Sequence, residues 1–220
     1  MNLAQTIDHT LLKPEAKSSD IQKLCEEAID HNFASVCVNS SRVALASSLV
    51  SGSPVKVAAV TGFPLGAMAT IAKARETSSA IAEGADEIDT VLNIGWLIDG
   101  ETDLVLADLS AVVAAADGRP VKVIFETCLL SDDQKRTACA LAVDAGASFV
   151  KTSTGFNKGG ATLEDVQLLR DCVAGRCEVK ASGGIRDRAT ALAMIEAGAS
   201  RLGTSSGIAI LSGRQTASGY

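Results

Sequence analysis

The chain has 220 residues, of which 47% are hydrophobic, 21% charged and 3% aromatic, and its formal net charge is −6. This is a globular composition, not a disordered one, and the length suits one domain with a substantial core. The acidic balance argues against a nucleic-acid partner, which needs a basic patch, but backbone N–H groups at helix N-termini can still hold a small anion.

Read in order, the chain offers eight candidate strands, near residues 5–9, 34–38, 55–61, 86–93, 121–127, 148–152, 178–182 and 200–204. Several are short, nearly continuous apolar runs, as in a parallel sheet covered by helices. Helical patterns lie between most of them: from Ser18 or Ser19 to Ile29, from Ala67 to Glu83, then 103–116, 131–145, 162–174 and 187–197. Ser131 to Gln134 and Thr162 to Asp165 read as capped helix starts with acids in the first turn. A Gly-Ala step followed by a polar residue and an apolar run recurs at Gly84-Ala85, Gly146-Ala147 and Gly198-Ala199. Each is a helix stop followed by a strand, and the repetition predicts alternating α and β elements. Eight such units at about 27 residues each predict a single-domain (βα)8 TIM barrel over residues 1–220, with a tail ending in Tyr220. A doubly wound open sheet is the alternative, but no G-x-G-x-x-G turn follows the first strand.

Six cysteines show no CxxC pair and no zinc-ribbon spacing, which predicts free thiols. The N-terminus has no leader pattern and no apolar run of about 18 residues exists. The expectation is a cytoplasmic protein with no membrane contact. Only His9 and His31 are available, in different elements. A zinc site usually needs two or three His ligands, so no metal and no cofactor are expected. No G-x-S-x-G elbow is present. Cys37 lies at a strand end, but no His is suitably placed to activate it.

The unusual residues are two lysines, each closing an apolar run and followed by glycine-rich sequence: Lys151 before Thr152-Ser153-Thr154-Gly155, and Lys180 before Ala181-Ser182-Gly183-Gly184. Strands are depleted in Lys, and Lys is seldom buried unpaired. Two ammonium groups about 5 Å apart at an effective dielectric of about 20 repel by roughly 3 kcal/mol, a pKa depression of about 2 units. A lysine so perturbed can attack a carbonyl. The competing reading pairs each lysine with a carboxylate. Asp89, in a strand among apolar neighbours, reads equally as a structural or a catalytic residue. Gly183-Gly184 and Gly203-Thr204-Ser205-Ser206-Gly207 follow the last two strands, where a barrel commonly keeps a phosphate site. Ser205 and Ser206 are expected to cap the short helix there. Another phosphate-binding barrel enzyme needs these loops but not the lysines, and a silent sugar-phosphate binder is the remaining alternative.

Four segments in this order, Ile7 to Pro14, Glu87 to Gly95, Phe149 to Gly155 and Val179 to Arg186, resemble the deoxyribose-phosphate aldolase family of class I aldolases, and the resemblance covers nearly the whole chain. It implies cleavage of 2-deoxy-D-ribose 5-phosphate to D-glyceraldehyde 3-phosphate and acetaldehyde. By position it implies Lys151 as the Schiff-base lysine, Lys180 as the lysine that lowers its pKa, and Asp89 as the acid that moves protons. Gly155, Gly183, Gly184, Ser205 and Ser206 match phosphate-binding loops. Asp8, Cys37, Thr152 and a mobile Tyr220 are supporting residues. The partners implied are small phosphosugars and aldehydes, with a possible homodimer through the outer helices. Two departures stand out. Phe156 occupies the place where some relatives carry a phosphate-contacting Lys, with Lys158 two residues further on. Asn39-Ser40-Ser41 replaces a loop that is Pro-containing in many relatives.

Overall fold

A computed structural model describes residues 2–213. Tyr220 and the rest of the tail lie outside the described residues. The strands are β1 (Ile7–Leu11), β2 (Ser35–Asn39), β3 (Lys56–Thr61), β4 (Glu87–Val91), β5 (Val121–Ile124), β6 (Phe149–Lys151), β7 (Glu178–Ser182) and β8 (Arg201–Thr204). All neighbours are parallel, and β8 pairs back onto β1 to close the barrel. The connecting helices are α1 (Ser18–Asp30), α2 (Val43–Val50), α3 (Thr70–Ala82), α4 (Ile94–Ile98), α5 (Thr102–Ala115), α6 (Asp132–Asp144), α7 (Leu163–Val173), α8 (Arg188–Ala197) and α9 (Gly207–Ser212). This is the expected (βα)8 barrel. No helix among the described residues is long and apolar enough to cross a membrane.

The boundaries that moved have local causes. The expected strand 121–127 stops at Ile124 because Glu126 adopts the left-handed region, φ 56°, which breaks the extended backbone. The strand expected at 86–93 ends at Val91, since Asn93 turns the chain and caps α4 through the Trp96 N–H. The first strand starts two residues later than expected, after a 3-10 turn capped by Asn2. Ser131 and Thr162 do cap α6 and α7. By contrast Ser206 sits at the start of α9 without a side-chain cap, and its own N–H donates to Thr204 Oγ1 at 2.9 Å.

Two apolar regions hold the fold. The larger lies between the helices and the outer face of the barrel and is built almost wholly from Val, Leu, Ile and Ala. The smaller, Leu12, Cys37, Ala58 and Val60 with Phe63 against them, lies by the barrel interior beside β2 and β3. Much of the rest of the interior is charged, with Asp8, Glu87, Asp89, Lys122, Lys151 and Lys180 all buried, which is unusual for a barrel centre, where branched aliphatics dominate.

Candidate active site

Strand register brings the two singled-out lysines together. Lys151 and Lys180 are direct partners in the β6–β7 pair, and Asp89 is the direct partner of Lys122 in the β4–β5 pair. In parallel strands, paired residues point the same way. All four are buried, Lys151 3% exposed and the others 0%. Lys151 Nζ donates to Asp89 Oδ2 at 2.8 Å, and Lys180 Nζ donates to the same oxygen at 2.7 Å. One carboxylate oxygen therefore serves both amines. Lys122 Nζ takes the other oxygen, Asp89 Oδ1, at 2.8 Å and also bonds Glu87 at 2.6 Å. Lys180 makes a second bond, to Asp8. Asp8 also accepts from Ser35 Oγ at 2.7 Å.

The electrostatics separate the two lysines. Burial pushes the Lys151 amine below the ordinary lysine range, Asp89 opposes this, and the Lys180 charge adds to it. Burial acts on Lys180 in the same direction, but the adjoining Asp8 and Asp89 carboxylates outweigh it and hold that ammonium above the ordinary range. Asp89 is also buried, yet Lys122, Lys151 and Lys180 together keep it well below the carboxylate range. The Lys180 charge lowers the proton affinity of Lys151, in the direction expected, and Lys180 itself moves the other way. The depression is one-sided, because Lys180 meets a second carboxylate, Asp8, and Lys151 has only a share in Asp89. The carboxylate-pairing reading was also right about the contacts: both lysines are ion-paired.

The cleft around the lysine is rich in glycine and small polar residues, with Arg186 also on its wall. Thr154, Gly155, Ser182, Gly183, Gly184, Gly203 and Ser205 line it together with Lys151, Thr10 and Leu12. Gly155, Gly183 and Gly184 have φ of 84°, 89° and 80°, so the loops after β6 and β7 need glycine there. These two loops touch backbone to backbone: Ala161 N–H donates to the Gly183 carbonyl at 3.0 Å, and a Cβ on Gly160 would overlap that carbonyl. In the next strand, a Cβ on Gly203 would stand 3.1 Å from Lys180 Cε, so glycine there keeps space for the lysine. Thr152 ties the strands, donating to the Ser182 carbonyl and accepting from its N–H, both at 3.0 Å. Ser206 is not among the cleft-lining residues; it faces a neighbouring groove along α1 and α9, which Ser205 also borders. Cys37 is fully buried in β2, and burial pushes its thiol up to about 11, so it is no nucleophile near neutral pH.

Four contributors escaped the sequence reading. Lys122 sits in Val121-Lys122-Val123-Ile124 and carries the same lysine-in-strand signal as the other two. Glu87 and Arg201 open β4 and β8 and pair with each other and with Lys122 and Asp8. Glu126 is 2% exposed and accepts from both the N–H and the hydroxyl of Thr154. Thr154 Oγ1 in turn accepts from Phe156 N–H at 3.0 Å. The Phe156 ring meets Phe63 edge-on, centroids 5.1 Å apart. A carboxyl-bearing residue in a left-handed turn thus buttresses the loop that carries Gly155.

The arrangement is chemically suited to amine attack on a carbonyl, with a neighbouring carboxylate and ammonium to pass protons and glycine-rich backbone to hold an anion. Comparison with known proteins agrees. Residues 2–216 match the DeoC/LacD family aldolase profile. The deoxyribose-phosphate aldolase of Bdellovibrio bacteriovorus is 57% identical over 220 residues, covering 100% of both chains. That of Alkaliphilus oremlandii is 58% identical over 212 residues, covering 96% of each. The tetrameric deoxyribose phosphate aldolase of Aeropyrum pernix superposes with a TM-score of 0.90 at 34% identity, covering 96% of this chain and 89% of that one. The chain belongs to the DeoC/LacD aldolase family.

Proposed function

We propose that the protein is a class I aldolase that reversibly cleaves 2-deoxy-D-ribose 5-phosphate to D-glyceraldehyde 3-phosphate and acetaldehyde, with the whole chain as one catalytic domain. The observation that carries this reading is the Lys151 amine. It lies at the C-terminal end of β6, where barrel enzymes keep their chemistry, in a cleft walled by glycine turns. Of the three lysines clustered inside the barrel, Lys122, Lys151 and Lys180, it alone has its proton affinity pushed down. Lys151 attacks the substrate carbonyl carbon; loss of water gives an iminium. The iminium takes up the electron pair of the breaking C–C bond and becomes an enamine as glyceraldehyde phosphate departs. Protonation of the enamine carbon and hydrolysis release acetaldehyde and the free amine.

Asp89, bonded to both amines, is the group through which protons pass, and Lys180 is the fixed positive charge that keeps Lys151 basic form available. Gly155, Gly183, Gly184 and Ser205 offer the phosphate its N–H and O–H donors, with Ser206 behind them. Asp8 holds Lys180, Thr152 holds the loop bases and Cys37 fills the wall. Tyr220, outside the described residues, belongs to the same reading through the family pattern alone. The relatives' printed activity supports the substrate. Six free cysteines support a reducing cytoplasmic setting. Self-association as a homodimer is part of the proposal, supported by the tetrameric relative and tested by light scattering.

The decisive experiment is reduction with borohydride in the presence of acetaldehyde, followed by peptide mass analysis. An N-ethyl group on Lys151 is expected. Saturating acetaldehyde with no adduct on Lys151 sinks the reading.

A further inference from the structure

The charged side chains below the cleft close on themselves. Asp8 bonds Lys180, Lys180 bonds Asp89, Asp89 bonds Lys122 and Lys122 bonds Glu87. Glu87 then meets Arg201 Nη2 at 3.3 Å, and Arg201 Nη1 returns to Asp8 at 2.6 Å. The result is a ring of six charges that alternate in sign and sum to zero. Lys151 hangs from this ring by its single bond to Asp89. A neutral Lys151 leaves the buried cluster balanced, whereas a protonated one leaves it with an uncompensated positive charge in a low-dielectric interior.

We propose that Arg201 and Glu87, at the far end of the barrel from the cleft, are positioning residues that tune the Lys151 nucleophile through the charge balance of this ring. Neither residue lines the cleft. Phe149, on the same inward face of β6 as Lys151, lies against both the Arg201 guanidinium, 5.7 Å from the ring centroid, and the Lys122 ammonium, 5.8 Å away. The largest charged and titratable influences on Lys151 are Asp89 on β4, Lys180 on β7 and the Cys37 thiol on β2, and Arg186, after β7, lines the same cleft. Asp89 and Lys180 are themselves members of the ring.

The inference rests on Lys151 being the nucleophile, and its test separates the two. The rate of borohydride-trapped acetaldehyde adduct formation on Lys151 is followed against pH in the full-length protein. The free amine reacts, so the midpoint of the profile reports the Lys151 proton affinity. Arg201→Gln leaves the ring one negative charge in excess and moves the midpoint up. Glu87→Gln leaves it one positive charge in excess and moves the midpoint down. Arg201 lies two strands from Lys151, about 10 Å at the usual strand spacing. At an effective dielectric of about 20 the shift is about half a pH unit to one, allowing for partial screening. The double variant restores neutrality and returns the wild-type midpoint, as does Arg201→Lys. Damage to packing has no reason to move the two single variants in opposite directions. Coincident midpoints for the wild type and both single variants, or shifts of the same sign, overturn the inference while leaving Lys151 as the nucleophile. If Arg201→Gln does not fold, Glu87→Gln decides alone, and a midpoint that stays or rises overturns it. If wild-type Lys151 forms no adduct, the aldolase reading fails instead.

Discussion

Two buried lysines of this molecule make opposite use of burial. Lys73, on α3 outside the barrel, is 0% exposed, and its amine bonds Asp108 Oδ2 at 2.6 Å and the Val91 carbonyl at 2.9 Å. Asp108 spends its other oxygen on the Thr70 hydroxyl at 2.9 Å. That carboxylate serves no second amine. Lys151, inside the barrel, shares its only carboxylate with Lys122 and Lys180. Both side chains are buried. What differs is how many cations claim each counter-charge, and this decides which lysine is a strut and which is a reagent.

The largest way to break the comparison is to exchange each lysine for methionine. Lys73→Met strands a fully buried Asp108 and is expected to cost about 3–5 kcal/mol in urea unfolding, with the Lys151 adduct profile unmoved in whatever protein remains folded. Lys151→Met is expected to abolish the adduct and raise Tm. The sign follows from the lowered proton affinity. The unfolded chain holds this amine protonated below about pH 10.4, so at neutral pH its burial opposes folding, and removing it relieves the fold. For a chain of this size each kcal/mol so relieved raises Tm by about 2–4 °C. A fall in Tm would show that Lys151, like Lys73, is a strut.

Lys180→Met sharpens the comparison by reducing the competition for Asp89. With one cation gone, the adduct midpoint is expected to rise by about 1–2 pH units, read by the same trapping assay. An unmoved midpoint means that Lys180 is not coupled to Lys151. Asp8 tests the ring under acid. Its carboxyl is held below the ordinary range by Lys180 and Arg201 against the effect of burial. Its contribution is therefore complete above the unfolded carboxyl value of about pH 4 and lost as the pH falls below it. Asp8→Asn is expected to lower stability at pH 7 but to flatten its dependence on pH below about 4. The smallest effect belongs to Glu126→Gln, which loosens the Thr154 contact. An increase in KM for the phosphorylated substrate of about three- to tenfold is expected, about 1 kcal/mol, with acetaldehyde trapping unchanged.

The architecture was legible because it is written in local pattern. Strand β7 falls on residues 178–182 as expected, and the caps at Ser131 and Thr162 are where the side chains announced them. The α2 helix was missed, since Val43–Val50 is apolar nearly all round and shows little helical periodicity. The reactive lysine and its neighbour were legible because Lys in a strand contradicts its surroundings. Lys122 contradicts its surroundings just as much and was passed over, because no glycine turn follows it. The raised proton affinity of Lys180 was not legible at all. It depends on which carboxylate each amine meets, and the Lys180–Asp8 contact spans 172 positions of sequence. Lys73 and Asp108 were invisible for the same reason, each being an ordinary polar residue on a helix.

The backbone contact between Gly160 and Gly183 has a consequence for how such enzymes change over time. With no side chain between them, the loops after β6 and β7 meet at a joint with no slack, and a substitution at either position forces the other to move. The two loops are expected to behave as one heritable unit. Grafting residues 153–161 from a relative requires residues 182–185 from that same relative, and a library that randomises one loop alone samples mostly broken joints.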